Sequence, residues 1–443
     1  MSQFELLTMI INGNRVGQQF STLIRLSTPR RVYLIVLRRR VRVPLVAFFN
    51  VTISWEGAGS MRDRSRFIVT IVSVVIMTVI AIVCSGQRVL VTASSPNVPG
   101  PSQFYLQHNL ISDGFVPADI THSNVVNAWG LVSGPTTPWW IANNGTGTTT
   151  LYNVATGTIV TDFTVPGAGG EQGNPTGLVF NGGTGFVVNN GVGSPAAARF
   201  IFASEDGTLS AFKGAPIVTV VPNAQAPAHG AIYKGLAIDS ATSGQFLYAT
   251  DFHNGKVDIF DSSFHLVTIP GSFTDPNLPA GFAPFGIQNI NGTIYVTYAL
   301  QDEDKEDDVP GPGNGFVDAY DTSGNLIQRV ASAGELNSPW GLALAPENFG
   351  RFSGDLLVGN FGDGRIHAFD PTQLTLAGEF EAVGLLHSAS GKPITIDRLW
   401  ALQFGHGASA NGPTNTLFFT AGPGDEEHGL FGSLVNVPPP GRQ

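Results

Sequence analysis

Asn143, Asp251, Thr297 and Asn360 each stand at the end of, or just inside, a short apolar run that repeats along the chain, with Asn189 and Thr420 aligning less securely. Amide, carboxylate and hydroxyl oxygens gathered from such positions hold a hard cation or hydrogen-bond a sugar. Asn and Asp there also start turns, by bonding their own backbone two residues on. Trp129, Trp340 and Trp400 share a second repeated position with Phe285. A ring of aromatics stacks on flat ligand faces, or packs between structural units. The segment QDEDKEDDVPGPGNG at 301–315 carries a third set, Asp302, Asp304, Glu306 and Asp308. Their alternation resembles the oxygen ligands of a calcium loop, so Ca2+ is the cofactor this set would take. The central Gly and the distal bidentate Glu of such a loop are replaced by Asp307 and Gly313. The plain alternative is a solvated, self-repelling insertion.

Other chemistries lack their residues. None of the nine histidines forms a close HxH or HxxxH pair. There is no G-x-S-x-G nucleophile elbow, no haem-attachment motif and no dinucleotide fingerprint. The single cysteine, Cys84, leaves the body without a disulfide, thiolate site or thiol nucleophile.

Charge divides the chain. Residues 1–86 carry 11 Lys and Arg against 3 Asp and Glu, which leaves 12 basic and 30 acidic residues after them, a net of −18. That acidic body should repel nucleic acid and anionic lipid. Residues 61–86 read as an export signal or signal anchor: Arg62, Arg64 and Arg66 precede an apolar stretch from Phe67 to Cys84. A membrane contact is expected only through 67–84, if that stretch is retained, and the body is expected outside the cytoplasm. Residues 1–60 have scattered arginines and no amphipathic period, and are expected to be a non-native or disordered extension upstream of Met61. A Pro/Ser spacer covers 87–102, and a Pro-rich tail 434–443.

The elements that must position these side chains follow from a repeat. A bulky residue, then Gly, then Leu or Ile recurs as Trp129-Gly130-Leu131, Thr176-Gly177-Leu178, Lys234-Gly235-Leu236, Phe285-Gly286-Ile287 and Trp340-Gly341-Leu342, with Trp400-Ala401-Leu402 last. The mean spacing is about 54 residues. Each copy leads into further short strands and Gly turns, as in LYATDFHNGKVDIFD at 247–261 and LLVGNFGDGRIHAFD at 356–370. In the second copy FVVNN at 186–190 reads as the second strand. Units this small bury a core only by stacking, and this period and strand content predict an all-β, six-bladed β-propeller over 103–433. The strand Phe104–Ser112 precedes the first repeat and is expected to close the ring on blade six. An N-terminal hydrophobic helix is expected before it.

The strings QHNLISDGFVPADITHSNVVNAWGL, GNPTGLVFN, LYATDFHNGKVDIFDSSF, LPAGFAPFGIQNI and LLVGNFGDGRIHAFDP, in this order, resemble a conserved family of exported bacterial propeller proteins, some ending in a PEP-CTERM sorting tail. The tail here, VPPPGRQ, departs from that pattern. More distantly the units are similar to NHL-type blades, a shape shared by gluconolactonase-like hydrolases and quinoprotein sugar dehydrogenases. The resemblance brings no ligand or activity with it. By analogy, the lactonases place an Asn before the blade's Gly-Leu. None stands there, although Asp251 matches their second ligand. The resulting expectation is a binding or scaffold module offering its channel or loop face to a small ligand, a glycan or an envelope protein. The alternative is a metal-dependent lactone or ester hydrolase in the channel. A purely structural role is favoured if Trp129, Trp340 and Trp400 close that channel.

Overall fold

The computed structural model describes residues 103–222, 230–239 and 244–438, and a hairpin of Ile24–Leu26 with Arg30–Val32. The chain divides into two units, Met1–Pro96 and Asn97–Gln443. The hairpin belongs to the first, and the apolar stretch 67–84 lies outside the described residues. Among the described residues no helix is long and apolar enough to cross a membrane.

In the second unit alternating apolar residues and Gly or Asn turns give short, mostly antiparallel strands, gathered into six blade sheets and one small two-stranded insertion. Blade one holds Ala128–Val132, Trp139–Asn143, Thr148–Asn153 and Thr158–Thr164. Blade two holds Pro175–Phe180, Phe200–Ser204, Leu209–Phe212 and Val218–Val221. Blades three, four and five open with Tyr233–Asp239, Phe282–Ile290 and Pro339–Leu344, each followed in order by its three partners. Blade six comprises Leu399–Phe404, Thr416–Ala421 and Leu430–Val437, and the last of these pairs antiparallel with Phe104–Ser112. Each first strand lies against the first strand of the next blade, and the sixth lies against the first. The architecture is an all-β, six-bladed β-propeller with almost no helix.

The recurring glycine marks the close approach of these innermost strands. A Cβ on Gly130 would stand 2.2 Å from the Thr176 carbonyl oxygen, and one on Gly177 would stand 2.2 Å from the Leu236 nitrogen. Neither position has room for a side chain. Hydroxyls sew the same seam: Thr176 donates to the Tyr233 carbonyl at 2.6 Å and Thr250 to that of Phe285 at 2.7 Å. The core lies mainly between blades, for example where Trp140, Leu151, Leu178, Phe200 and Phe202 pack together.

One expectation is corrected. FVVNN is not the second strand of blade two. Val187–Val188 pairs only with Ala196–Ala197 in a small insertion, and Phe200–Ser204 takes the second place, paired with Pro175–Phe180.

Candidate functional site

One end of the ring is defined by a hydrogen bond found in every blade. An N–H just after the second strand, or closing it, donates to a carbonyl at or just ahead of the first: Asn144 to Asn127, Glu205 to Asn174, Phe252 to Ile232, Gln301 to Gly281, Phe361 to Ser338 and Gly422 to Arg398. This entry face carries the acidic loop 301–314 and the loop 422–429 with Asp425, Glu426 and Glu427.

Beneath this face the axis is filled. Trp129 stacks on Trp400 at 3.7 Å between ring centroids, Phe361 stacks on Trp400 at 4.1 Å, and Trp340 meets Trp400 edge-on at 5.8 Å. Phe285 and Phe252 complete the cluster. The Leu and Ile after each Gly form a second, aliphatic layer, where a cavity of about 20 Å³ lined by Leu131, Leu178, Leu236, Ile287, Leu342 and Leu402 remains. That is room for roughly one water molecule. Of the two roles open to Trp129, Trp340 and Trp400, ligand stacking or packing between units, the structure places the three rings against one another across the channel.

The first strands enter this plug under strain. Asn127, Ser338 and Arg398, each two residues ahead of a plug tryptophan, have φ of 43°, 46° and 51°. Left-handed backbone outside glycine costs on the order of 1 kcal/mol per residue, so the surrounding contacts must hold it. Asn127 shows how: its side-chain oxygen accepts from Trp400 Nε1 at 2.8 Å, and its amide donates to Glu426 at 2.8 Å.

Lys234 occupies the repeat position held elsewhere by an aromatic or Thr. Its side chain is 2% exposed, with Nζ 2.6 Å from Glu205 Oε1 and 2.9 Å from Asp307 Oδ1. The ammonium lies 5.3 Å from the Trp129 ring centroid and 6.0 Å from that of Phe252. The second oxygen of Glu205 accepts from the Asn144 amide at 2.8 Å. Burial works against the Lys234 charge, but the two carboxylates outweigh it and hold the proton more tightly than in an ordinary lysine. Burial pushes Glu426 up to about 7 and Asp308 up to about 6, with neighbouring carboxylates adding to both and Lys234 opposing.

Except for Thr420, the oxygen candidates bond within their own blades or to the segments that lead into them. Asn143 donates to Thr148 and Thr150 at 3.0 and 2.8 Å, and Asn360 donates to the Glu335 carbonyl at 2.8 Å. Thr297 accepts from the Gly286 N–H at 2.8 Å. Asp251 accepts from the Asn254 amide at 2.8 Å and from the Ile232 N–H at 3.3 Å. Asn189 lies beside the blade-two insertion, its side chain accepting from the Gly191 N–H at 3.1 Å. Thr420 bonds the Trp129 carbonyl across the seam. In the acidic loop Asp302 accepts the Glu306 N–H at 3.0 Å, while Asp304 and Glu306 are exposed. Among the described residues no three His, Cys, Asp or Glu side chains gather closely enough to hold a metal ion. Lys234, Glu205, Asp307, Glu426, Asn127 and Asn144 form the cluster that the sequence reading missed. The one signal for it was a lysine standing in an aromatic repeat position.

Two uncharacterised proteins of Acanthamoeba polyphaga mimivirus are similar to this chain over most of its length. One is 32% identical over 334 residues, covering 73% of this chain and 78% of that protein; the other is 31% identical over 336, covering 74% and 84%. The chain belongs to their family. Both relatives are viral, a bacterial family and a PEP-CTERM tail are not shown for this chain, and the six-bladed shape is what stands of that resemblance. No family model matches. Among solved structures a virginiamycin B lyase from Staphylococcus aureus is 15% identical with a TM-score of 0.42, covering 70% of this chain and 80% of that one. A protein of unknown function from Bacteroides thetaiotaomicron is 14% identical with a TM-score of 0.44, covering 74% and 76%. No chemistry passes to this chain from either.

Proposed function

We propose that the protein is a binding or scaffold propeller that engages its partner through the entry face and not through the channel. The observation that carries this reading is the double closure of the axis by the Trp129–Trp400–Phe361 stack and the Leu/Ile layer beneath it. A ligand then has only the loops to meet. On the entry face the loops 301–314 and 422–429 hold nine Asp and Glu side chains against Lys305 and His428, so the partner is a protein surface or peptide rich in Lys and Arg. The pairing of Phe104–Ser112 with Leu430–Val437 supports a ring closed by this strand, suited to a rigid platform. The basic head and apolar stretch of 61–86 support placing that platform outside the cytoplasm, secreted or anchored.

The test is binding of the full chain to an arginine-rich peptide at low and high salt. Neutralising Asp302, Glu303, Asp304 and Glu306 to their amides should weaken binding at least tenfold at low salt. Neutralising Asp261, Asp321, Glu347 and Asp370, outside those two loops, should leave it within twofold. Equal losses in both variants would reject the assignment of the face.

A further inference from the structure

Lys234, Asp307 and Glu205 come from three different blades and meet at one nitrogen. Lys234 lies on the first strand of blade three, Glu205 follows the second strand of blade two, and Asp307 reaches in from the long loop of blade four. The amine touches both carboxylates, at 2.6 and 2.9 Å, and is walled by Trp129 and Phe252. The two acids are not equivalent. Glu205 is fixed through its other oxygen by Asn144, whereas Asp307 is 75% exposed and opens to solvent on its far side. A poorly hydrated amine held against a carboxylate, beside a second carboxylate able to take its proton, has the parts for amide condensation. Holding the two reactants together replaces the high concentration that this reaction otherwise needs.

We propose that Lys234 and Asp307 are a site of covalent modification, joined by an intramolecular isopeptide bond with Glu205 as the catalytic proton carrier. Glu205 takes a proton from the Lys234 ammonium along their direct contact. The freed Nζ lone pair adds to Asp307 Cγ, forming the N–C bond. Glu205 passes this first proton to one Asp307 carboxylate oxygen, takes the second proton that Nζ sheds after the addition and delivers it to the same oxygen, so that the Cγ–O bond breaks and one water leaves through the exposed side of Asp307. Ammonium and carboxylate become amide and water, with no change of oxidation state and no co-reactant. The ion triplet holds the amine charged, so proton transfer to Glu205 is the step that gates the reaction. Asn144, which orients Glu205, is a positioning residue. The product ties the acidic loop of blade four to the wall of the shaft. This inference stands independently of the partner proposed above.

The experiment is a tryptic digest of the denatured full chain, read by tandem mass spectrometry. The expected result is one branched peptide containing Lys234 and Asp307, lighter than its two parts by one water and uncut after Lys234. Asp307→Ala, on an exposed loop, should give separate peptides cut after Lys234, and Glu205→Gln should do the same while still unfolding in one cooperative melting transition at a lower temperature. Complete cleavage after Lys234 in the wild type overturns the bond. A branch ending on Glu205 overturns the choice of acceptor, and a bond persisting in Glu205→Gln overturns the proton carrier.

Discussion

Trp129 lies flat on Trp400 with ring centroids 3.7 Å apart, although 271 residues separate them in sequence. The first and last blades meet in this pair, on the axis where a propeller would otherwise leave a channel. Trp400→Ala removes a ring that also touches Phe361, Phe285 and Trp340. The expected loss is about 3–5 kcal/mol in chemical denaturation, with a smaller loss for Trp340→Ala, whose ring is only partly buried. Equal losses would mean that the plug is not centred on Trp400.

Gly177→Ala places a methyl 2.2 Å from the Leu236 backbone nitrogen, and the seam between blades two and three must open to accept it. A cost of about 1–3 kcal/mol is expected, read as a lower melting temperature. Ala401→Gly, at the one repeat position that already carries a side chain, should cost about 1 kcal/mol or less.

Compared with a chain in which the Lys234–Asp307 bond has not formed, Lys234→Met leaves Glu205 and Asp307 facing each other without their cation. Breaking a buried pair from one side costs about 3–5 kcal/mol, and exposure of Asp307 places this case at the low end. Adding Glu205→Gln and Asp307→Asn to Lys234→Met should recover part of the loss, as measured by urea midpoints. A triple variant no more stable than Lys234→Met would argue against charge pairing as the source.

The carboxyl of Glu426 is held at about 7 in the folded protein, above its ordinary value of 4.5, because it is buried. A raised carboxyl binds its proton more tightly folded than unfolded. Its stabilising contribution is therefore complete below about pH 4, where both states are protonated, and is lost as pH rises through 7. Glu426→Gln keeps a neutral partner for Asn127 and should be more stable than wild type by about 2 kcal/mol at pH 8, the gain shrinking steadily toward pH 4. A gain independent of pH would reject titration of this group as the cause.

Much of the ring was legible because one physical demand recurs. Where the innermost strands of five blades touch their neighbours there is little or no room for a side chain, so Gly followed by Leu or Ile reports those blades directly, and Ala401-Leu402 marks the sixth. Blade two was misread because Val187 and Val188 look like a strand interior, yet pair only within an insertion. That displaced the end of the second strand from Ser204, and Glu205 with it. The turn residues Asn143, Asp251 and Asn360 were visible as a pattern, but local hydrogen bonding and ligand binding leave the same residue types in sequence. The Lys234 cluster was illegible for a different reason. Its partners lie 29 and 73 residues away on other blades, and no local pattern encodes which loop folds over which strand.

The most direct test of a sealed axis beneath a working entry face is hydrogen–deuterium exchange of the full chain, with and without saturating arginine-rich peptide. Protection is predicted in 301–314 and 422–429, with the strands Ala128–Val132 and Leu399–Phe404 already slow to exchange and unchanged by the peptide. Protection that appears along those innermost strands, or only in loops at the opposite end of the ring, would contradict the account.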